Sequence, residues 1–228
     1  MIADKLADVN ARIASACAAA GRPVQSVTLL AVSKTFDVAA IEEAHAAGQQ
    51  RFGENYVQEA LEKLAALAAL APRPEWHLIG PLQSNKSRLV AERFDWVHSV
   101  ENEKIARRLS EQRPAGLAPL SLLLQVNVSG EASKSGAAAE RVFSLAEAVS
   151  RLPRLRLRGL MAVPEPGADI ARYRELRNLY EKLKAPFHFD TLSVGMSDDM
   201  ETAIAEGSTM VRIGTAIFGQ RQKVRPAA

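Results

Sequence analysis

Short apolar runs and amphipathic runs alternate along almost the whole chain, and this alternation limits the folds open to it. Runs with strand character fall near residues 27–33, 50–53, 75–79, 95–99, 120–127, 155–161, 190–193 and 209–213. Between them, helix-like segments fall near 37–47, 55–70, 85–92, 102–112, 137–150, 169–184 and 197–206, with a short helical turn expected after Thr215. Strands separated by helices build βαβ units and hence a parallel sheet. Eight such strands close a barrel whose interior side chains can fill. The expected fold is therefore α/β, a (β/α)8 TIM barrel, with a doubly wound open sheet as the alternative. An additional N-terminal helix is predicted over 2–20, because Ile2, Leu6, Val9, Ile13 and Cys17 share one face before Gly21 and Pro23 stop it. With 228 residues and no linker-like segment, residues 1–228 read as a single domain.

Composition removes several function classes. The 29 Lys+Arg and 26 Asp+Glu residues are interspersed, net charge is only +3, and aromatics make up 5%. With no basic block interleaved with aromatics, nucleic acid is not an expected partner. A single cysteine, Cys17, excludes an intrachain disulfide and fits a reducing, cytoplasmic setting. Asp4, Lys5 and Asp8 do not suit a signal peptide, and the longest apolar stretch, 64–71, is too short to span a bilayer. No membrane association is expected. Four scattered histidines give no metal-ligand spacing.

The first strand-like run, Val27-Thr28-Leu29-Leu30-Ala31-Val32-Ser33, ends at Lys34. The carboxyl ends of parallel strands are where α/β folds place their chemistry. Partial desolvation there lowers an amine's pKa, and a neutral amine forms a Schiff base with a carbonyl. The plain alternative is a lysine marking where the strand meets water. The last quarter of the chain bears on that choice. Strand seven runs into Gly195-Met196-Ser197, and strand eight into Arg212-Ile213-Gly214-Thr215. In TIM barrels the loops after these two strands often bind phosphate. Glycines allow close approach, and Ser197, Thr215 and first-turn amides supply donors. Asp198 and Asp199 would repel a phosphate, so either both point away from such a site or the phosphate site lies elsewhere. An amine and a phosphate site on one rim suit pyridoxal phosphate, which carries an aldehyde and a phosphate at opposite ends. Arg212 beside the pyridine nitrogen would disfavour ring protonation.

Longer motifs then make a family visible. They include Leu30-Ala31-Val32-Ser33-Lys34-Thr35, Phe52-Gly53-Glu54-Asn55-Tyr56-Val57-Gln58-Glu59 and Trp76-His77-Leu78-Ile79-Gly80-Pro81-Leu82-Gln83-Ser84-Asn85-Lys86. Further on come Ser133-Lys134-Ser135-Gly136, Leu157-Arg158-Gly159-Leu160-Met161, Ser193-Val194-Gly195-Met196-Ser197-Asp198-Asp199-Met200-Glu201 and Val211-Arg212-Ile213-Gly214-Thr215-Ala216-Ile217-Phe218-Gly219. In these stretches the chain resembles the YggS/PROSC family of pyridoxal phosphate homeostasis proteins, nearly end to end. The resemblance implies a barrel like the N-terminal domain of alanine racemase. It implies pyridoxal 5'-phosphate held as an internal aldimine on Lys34, with Ser197, Gly214 and Thr215 at the phosphate, Arg212 near the pyridine nitrogen and Asn55 lining the pocket. It implies a monomer acting in vitamin B6 and amino-acid homeostasis, without established catalysis. Other B6 vitamers and apo forms of pyridoxal phosphate enzymes are possible partners. The tail after Gly219 carries only Arg221, Lys223 and Arg225 as basic residues, which leaves a lysine-dependent tail function open.

Several residues have simpler readings. Asn55 could cap the helix that follows it. His77 reads as a satisfied core histidine, and Trp76 and Trp96 as packing residues. Glu59 and Lys63 read as an i,i+4 pair on a solvated face. Lys134, in a polar loop after strand five, is a candidate second contact to the cofactor. Three functions stand side by side: a non-enzymatic cofactor carrier, a pyridoxal phosphate enzyme such as an amino-acid racemase, and a cofactor-free Schiff-base aldolase. Racemisation needs a second acid/base on the cofactor's far face. The chain ends soon after strand eight, and no second domain is expected to supply that group.

Overall fold

The computed structural model describes residues 1–129 and 135–220. Lys134 and the basic residues of the tail lie outside them. Eight parallel strands close a barrel in sequential order: β1 (Thr28–Val32), β2 (Arg51–Glu54), β3 (Glu75–Leu78), β4 (Trp96–Val100), β5 (Leu120–Gln125), β6 (Leu155–Met161), β7 (Thr191–Ser193) and β8 (Met210–Ile213). The seam is β1 against β8, paired from Thr28↔Met210 to Ala31↔Ile213. On its other side β1 pairs with β2 at Ala31↔Phe52 and Val32↔Gly53. The closed barrel displaces the open-sheet alternative.

The helices are α1 (Ile2–Ala19), α2 (Val38–Ala46), α3 (Val57–Ala66), α4 (Ser87–Arg93), α5 (Glu103–Gln112), α6 (Ala139–Ser150), α7 (Ile170–Phe187), α8 (Met200–Ala205) and α9 (Thr215–Phe218). Local chemistry sets several starts. Asp37, Asn102 and Asp169 each accept a first-turn amide, at 2.9, 3.1 and 2.8 Å. α7 runs further than the periodicity suggests and passes through Pro186. It stops where His188 adopts a left-handed conformation. α8 starts at Met200 rather than 197, for a reason given below. Single 3-10 turns at Val24–Ser26 and Ser84–Lys86 carry no helical periodicity in the sequence.

Alternation along each strand divides the apolar residues between two places. Leu29, Ala31, Phe52, Trp76, Leu122 and Val211 face outward and join the helices, Cys17 included, in one large core. Inside the barrel the apolar cluster is only Trp96, Leu123 and Met161. Inward positions also include buried polar residues, His77, His98, Ser193 and Arg212. Both tryptophans thus pack as expected, one outside the barrel wall and one within. No helix among the described residues is long and apolar enough to cross a membrane.

Candidate functional site

A cleft of about 200 Å³ opens at the carboxyl mouth of the barrel, beside the β1–β8 seam. Its polar wall is Lys34, Ser197, Asp198, Arg212, Gly214 and Thr215, and its apolar wall is Val32, Phe36, Ile79 and Met196. Five of the residues singled out from the sequence therefore meet in one place. The sixth, Asn55, follows β2 and is not among the cleft-lining residues. It is not a helix cap either, since Tyr56 holds the cap position of α3 without a side-chain bond. Its Oδ1 is buried and has no hydrogen-bond partner, a costly state for an amide.

The loop after β7 brings Met196, Ser197 and Asp198 to the cleft. Asp199 turns back on the loop: Oδ1 accepts the Met196 amide at 2.6 Å and Oδ2 accepts the Tyr173 hydroxyl at 2.5 Å. Burial, with Asp199 alongside, pushes the Tyr173 phenol well up, so it stays a donor. This turn delays α8 to Met200, where a helix from Ser197 was predicted. Asp199 thus points away from the cleft, as a phosphate site requires, whereas Asp198 does not meet that expectation and lines the cleft at its exposed edge. From the other side, Arg12 on α1 donates to the Ser197 carbonyl at 3.1 Å and pairs with Glu201. Gly195 has φ +102°, and a Cβ there would meet Ala203 Cβ at 2.5 Å. A Cβ at Gly214 would lie 3.1 Å from the Val32 carbonyl oxygen, so a side chain would crowd the seam.

Lys34 lies in a turn two residues beyond β1, and that turn is tied down at each step. Ser33 N donates to Gly53 O at 3.0 Å, and Phe36 N to Ser33 O at 3.1 Å. Thr35 adopts φ +68°, a strained state for a β-branched residue, with its amide on Glu59 Oε1 at 2.5 Å. Lys63 Nζ donates to Ser33 O (2.8 Å), Glu54 Oε1 (2.8 Å) and Glu59 Oε1 (2.6 Å), and Ser33 Oγ donates to Glu54 Oε1 (2.6 Å). The Glu59–Lys63 pair is therefore not on a solvated face. Lys63 is 5% exposed and Glu54 0%, because the second carboxylate sits at the end of β2, under α3. Burial raises the Glu54 carboxyl, against the opposing pull of Lys63 and Ser33.

Arg212 points inward from β8 and is buried. Its Nη1 donates to Ser193 O (2.8 Å) and Ser193 Oγ (2.9 Å), and its Nη2 to Ala162 O (2.9 Å). Burial pulls its pKa down to about 10, opposed by Asp199, so it remains a cation at neutral pH. The cleft thus offers an amine, a fixed cation and a hydroxyl-bearing glycine cradle in one small volume.

The alanine racemase N-terminal domain family model matches residues 5–222. A pyridoxal phosphate homeostasis protein of Pseudomonas aeruginosa is 61% identical over 100% of this chain and 99% of its own length. The chain belongs to the pyridoxal phosphate homeostasis protein family. The solved structure of the family's Synechococcus elongatus member PipY with pyridoxal phosphate bound superposes with a TM-score of 0.83. It is 38% identical and covers 96% of this chain and 100% of PipY. Alanine racemase of Corynebacterium glutamicum shares the fold at a TM-score of 0.67 with 17% identity, over 97% of this chain and 62% of the racemase. The family's barrel is thus also the scaffold of a racemase.

Sequence reasoning did not reach the apolar wall or the Glu54–Lys63–Glu59 cluster. Both come from residues far apart in the chain, and only the acid at 59 and base at 63 left a local signal.

Proposed function

We propose that this chain binds pyridoxal 5'-phosphate covalently through Lys34 and serves vitamin B6 and amino-acid homeostasis as a cofactor carrier rather than as an enzyme. The observation that carries the reading is the meeting of Lys34, Arg212 and the Ser197 and Gly214–Thr215 loops in one cleft. The names of the relatives and PipY's bound cofactor support it. The residues fit the group. The cleft holds an amine for the aldehyde and hydroxyls for the phosphate, while Asp198, at its exposed edge, is the one lining group unsuited to an anion; outside the lining, Asn55 Oδ1 is a buried acceptor with no partner.

Bound pyridoxal phosphate supplies an electrophilic carbonyl for amines and a ring that can accept electrons. Here Ser197, Thr215 and the Gly214 backbone would hold the phosphate, and the apolar side chains of Phe36 and Ile79 would exclude water from the cleft. Arg212, a cation lining the cleft, would disfavour protonation of a ring nitrogen placed beside it. A ring held unprotonated would be a weak electron acceptor, which supports holding over turnover. Besides Lys34 and Arg212, the only titratable group lining the cleft among the described residues is the exposed Asp198. Tyr56, the tyrosine nearest this rim in sequence, is 57% exposed and not among the lining residues.

Two outcomes are expected. Ser197→Ala and Thr215→Ala should each lose one donor to a charged group, about 1.5–3 kcal/mol, or roughly ten- to hundredfold in Kd for pyridoxal phosphate. Wild-type affinity in both variants, measured by fluorescence titration, would remove these loops from the phosphate site. The loaded protein should restore activity to an apo pyridoxal phosphate enzyme, yet show no sustained racemisation, transamination or decarboxylation of L- or D-amino acids. Multiple turnovers on any of them would overturn the carrier reading.

A further inference from the structure

The barrel interior holds a line of polar groups that runs inward from Arg212, beyond the residues that line the cleft. It starts where Arg212 Nη1 donates to Ser193 Oγ at 2.9 Å. Ser193 Oγ stands 3.3 Å from His98 Nδ1, and His98 Nε2 stands 2.9 Å from His77 Nδ1. His77 Nε2 then reaches Glu75 Oε1 at 2.9 Å. Ser193, His98 and His77 are fully buried, whereas Glu75 starts β3 at the opposite mouth and pairs there with Arg51 at 3.2 Å. Trp96 stacks on the His77 ring at 5.1 Å with planes 10° apart, and Arg158 covers Trp96.

The direction of every link follows from the anionic end. Burial opposes ionisation of Glu75, but its interactions with His77, Arg51 and Trp96 outweigh this and hold it below the usual range. Burial also lowers both histidines, His98 strongly, with His77 and Arg212 adding to the effect there. Neutral His77 must place its proton on Nε2 to donate to Glu75, which leaves Nδ1 as an acceptor. His98 must then carry its proton on Nε2, which leaves its Nδ1 bare. Ser193 must therefore donate to His98 and accept from Arg212. Arg212 can only donate, so the two ends agree. Arg212 itself touches only neutral oxygens, an expensive setting for a buried cation. A chain of aligned hydrogen bonds polarises cooperatively and carries part of a distant carboxylate's field to that cation.

We propose that Glu75, His77 and His98 are positioning residues for Arg212, forming a one-way relay through the barrel that fixes the guanidinium at the cleft from the opposite mouth. Its consequence for the cofactor rests on the reading of the cleft given above; the relay itself does not.

Nitrogen NMR of cofactor-free protein tests the relay directly. His77 and His98 should each show a neutral ring with the proton on Nε2 at roughly pH 6–8. Protonation, or an Nδ1-bound proton at either ring, overturns the relay whether or not any variant folds. Glu75→Gln keeps the size and an acceptor oxygen but removes the charge. It should shift the His98 signals, two links away, and move the absorbance maximum of the lysine-bound cofactor. Glu147→Gln, at an exposed pair with Arg151 on α6, should move neither. If either readout stays at its wild-type position in Glu75→Gln, the positioning role is overturned. If wild-type protein forms no lysine-bound cofactor, the cofactor reading falls, and the tautomers alone then decide the relay.

Discussion

Lys34→Ala should abolish the absorbance band of lysine-bound pyridoxal phosphate while leaving unfolding stability within about 1 kcal/mol of wild type. The small stability effect follows from position: Lys34 lies beyond the last residue of β1 and is only half-buried. The complete spectral loss follows from the neighbouring amine. Lys63 is close in the fold, but its ammonium is spent on three acceptors, two of them carboxylates, under α3. A protonated amine has no lone pair to offer a carbonyl. Borohydride reduction of loaded wild-type protein and peptide mapping should find the cofactor on Lys34. Recovery of the label on another lysine would refute the assignment.

The second large effect is on stability. Lys63→Met should destabilise the protein by about 3–5 kcal/mol, since it strands Glu54 as a buried, unpaired carboxylate. At roughly 2–4 °C per kcal/mol for a chain of this size, the melting temperature should fall by about 6–20 °C. The double variant Lys63→Met/Glu54→Gln removes both charges and should recover much of the loss. A fall below about 1 kcal/mol in the single variant would mean that the cluster is solvated in solution. Because Lys63 and Glu59 also hold Ser33 and Thr35 on either side of Lys34, the variant that survives folding should bind cofactor more weakly too.

The barrel was legible because parallel strands are buried on both faces and so stand out as apolar runs between amphipathic ones. The run at 155–161 coincides with β6, and most other strands agree within a residue or two at each end. Lys34, Ser197, Arg212, Gly214 and Thr215 were legible because strand ends share a rim whatever the details of packing. What a strand's alternation cannot show is which inward residues of different strands touch. His77 looked like one satisfied histidine and His98 drew no notice, yet they are 2.9 Å apart. Helix α3 posed the same problem in another form. An acid and a base four residues apart suit water equally well, and only Glu54, from another element, makes that face an interior one.

The seam between β1 and β8 gives the cleft a history as well as a location. Its amine follows the first strand made and its hydroxyl-bearing loops follow the last two, so the cleft cannot exist until nearly the whole barrel has been synthesised and closed. A ligand gripped at both sides of that seam would act as a clasp on the ring. At a hundred times its Kd it would add about 2.7 kcal/mol to unfolding stability. Loaded and empty protein should therefore differ most in amide exchange along Thr28–Val32 and Met210–Ile213, the two paired edges that such a ligand would tie together.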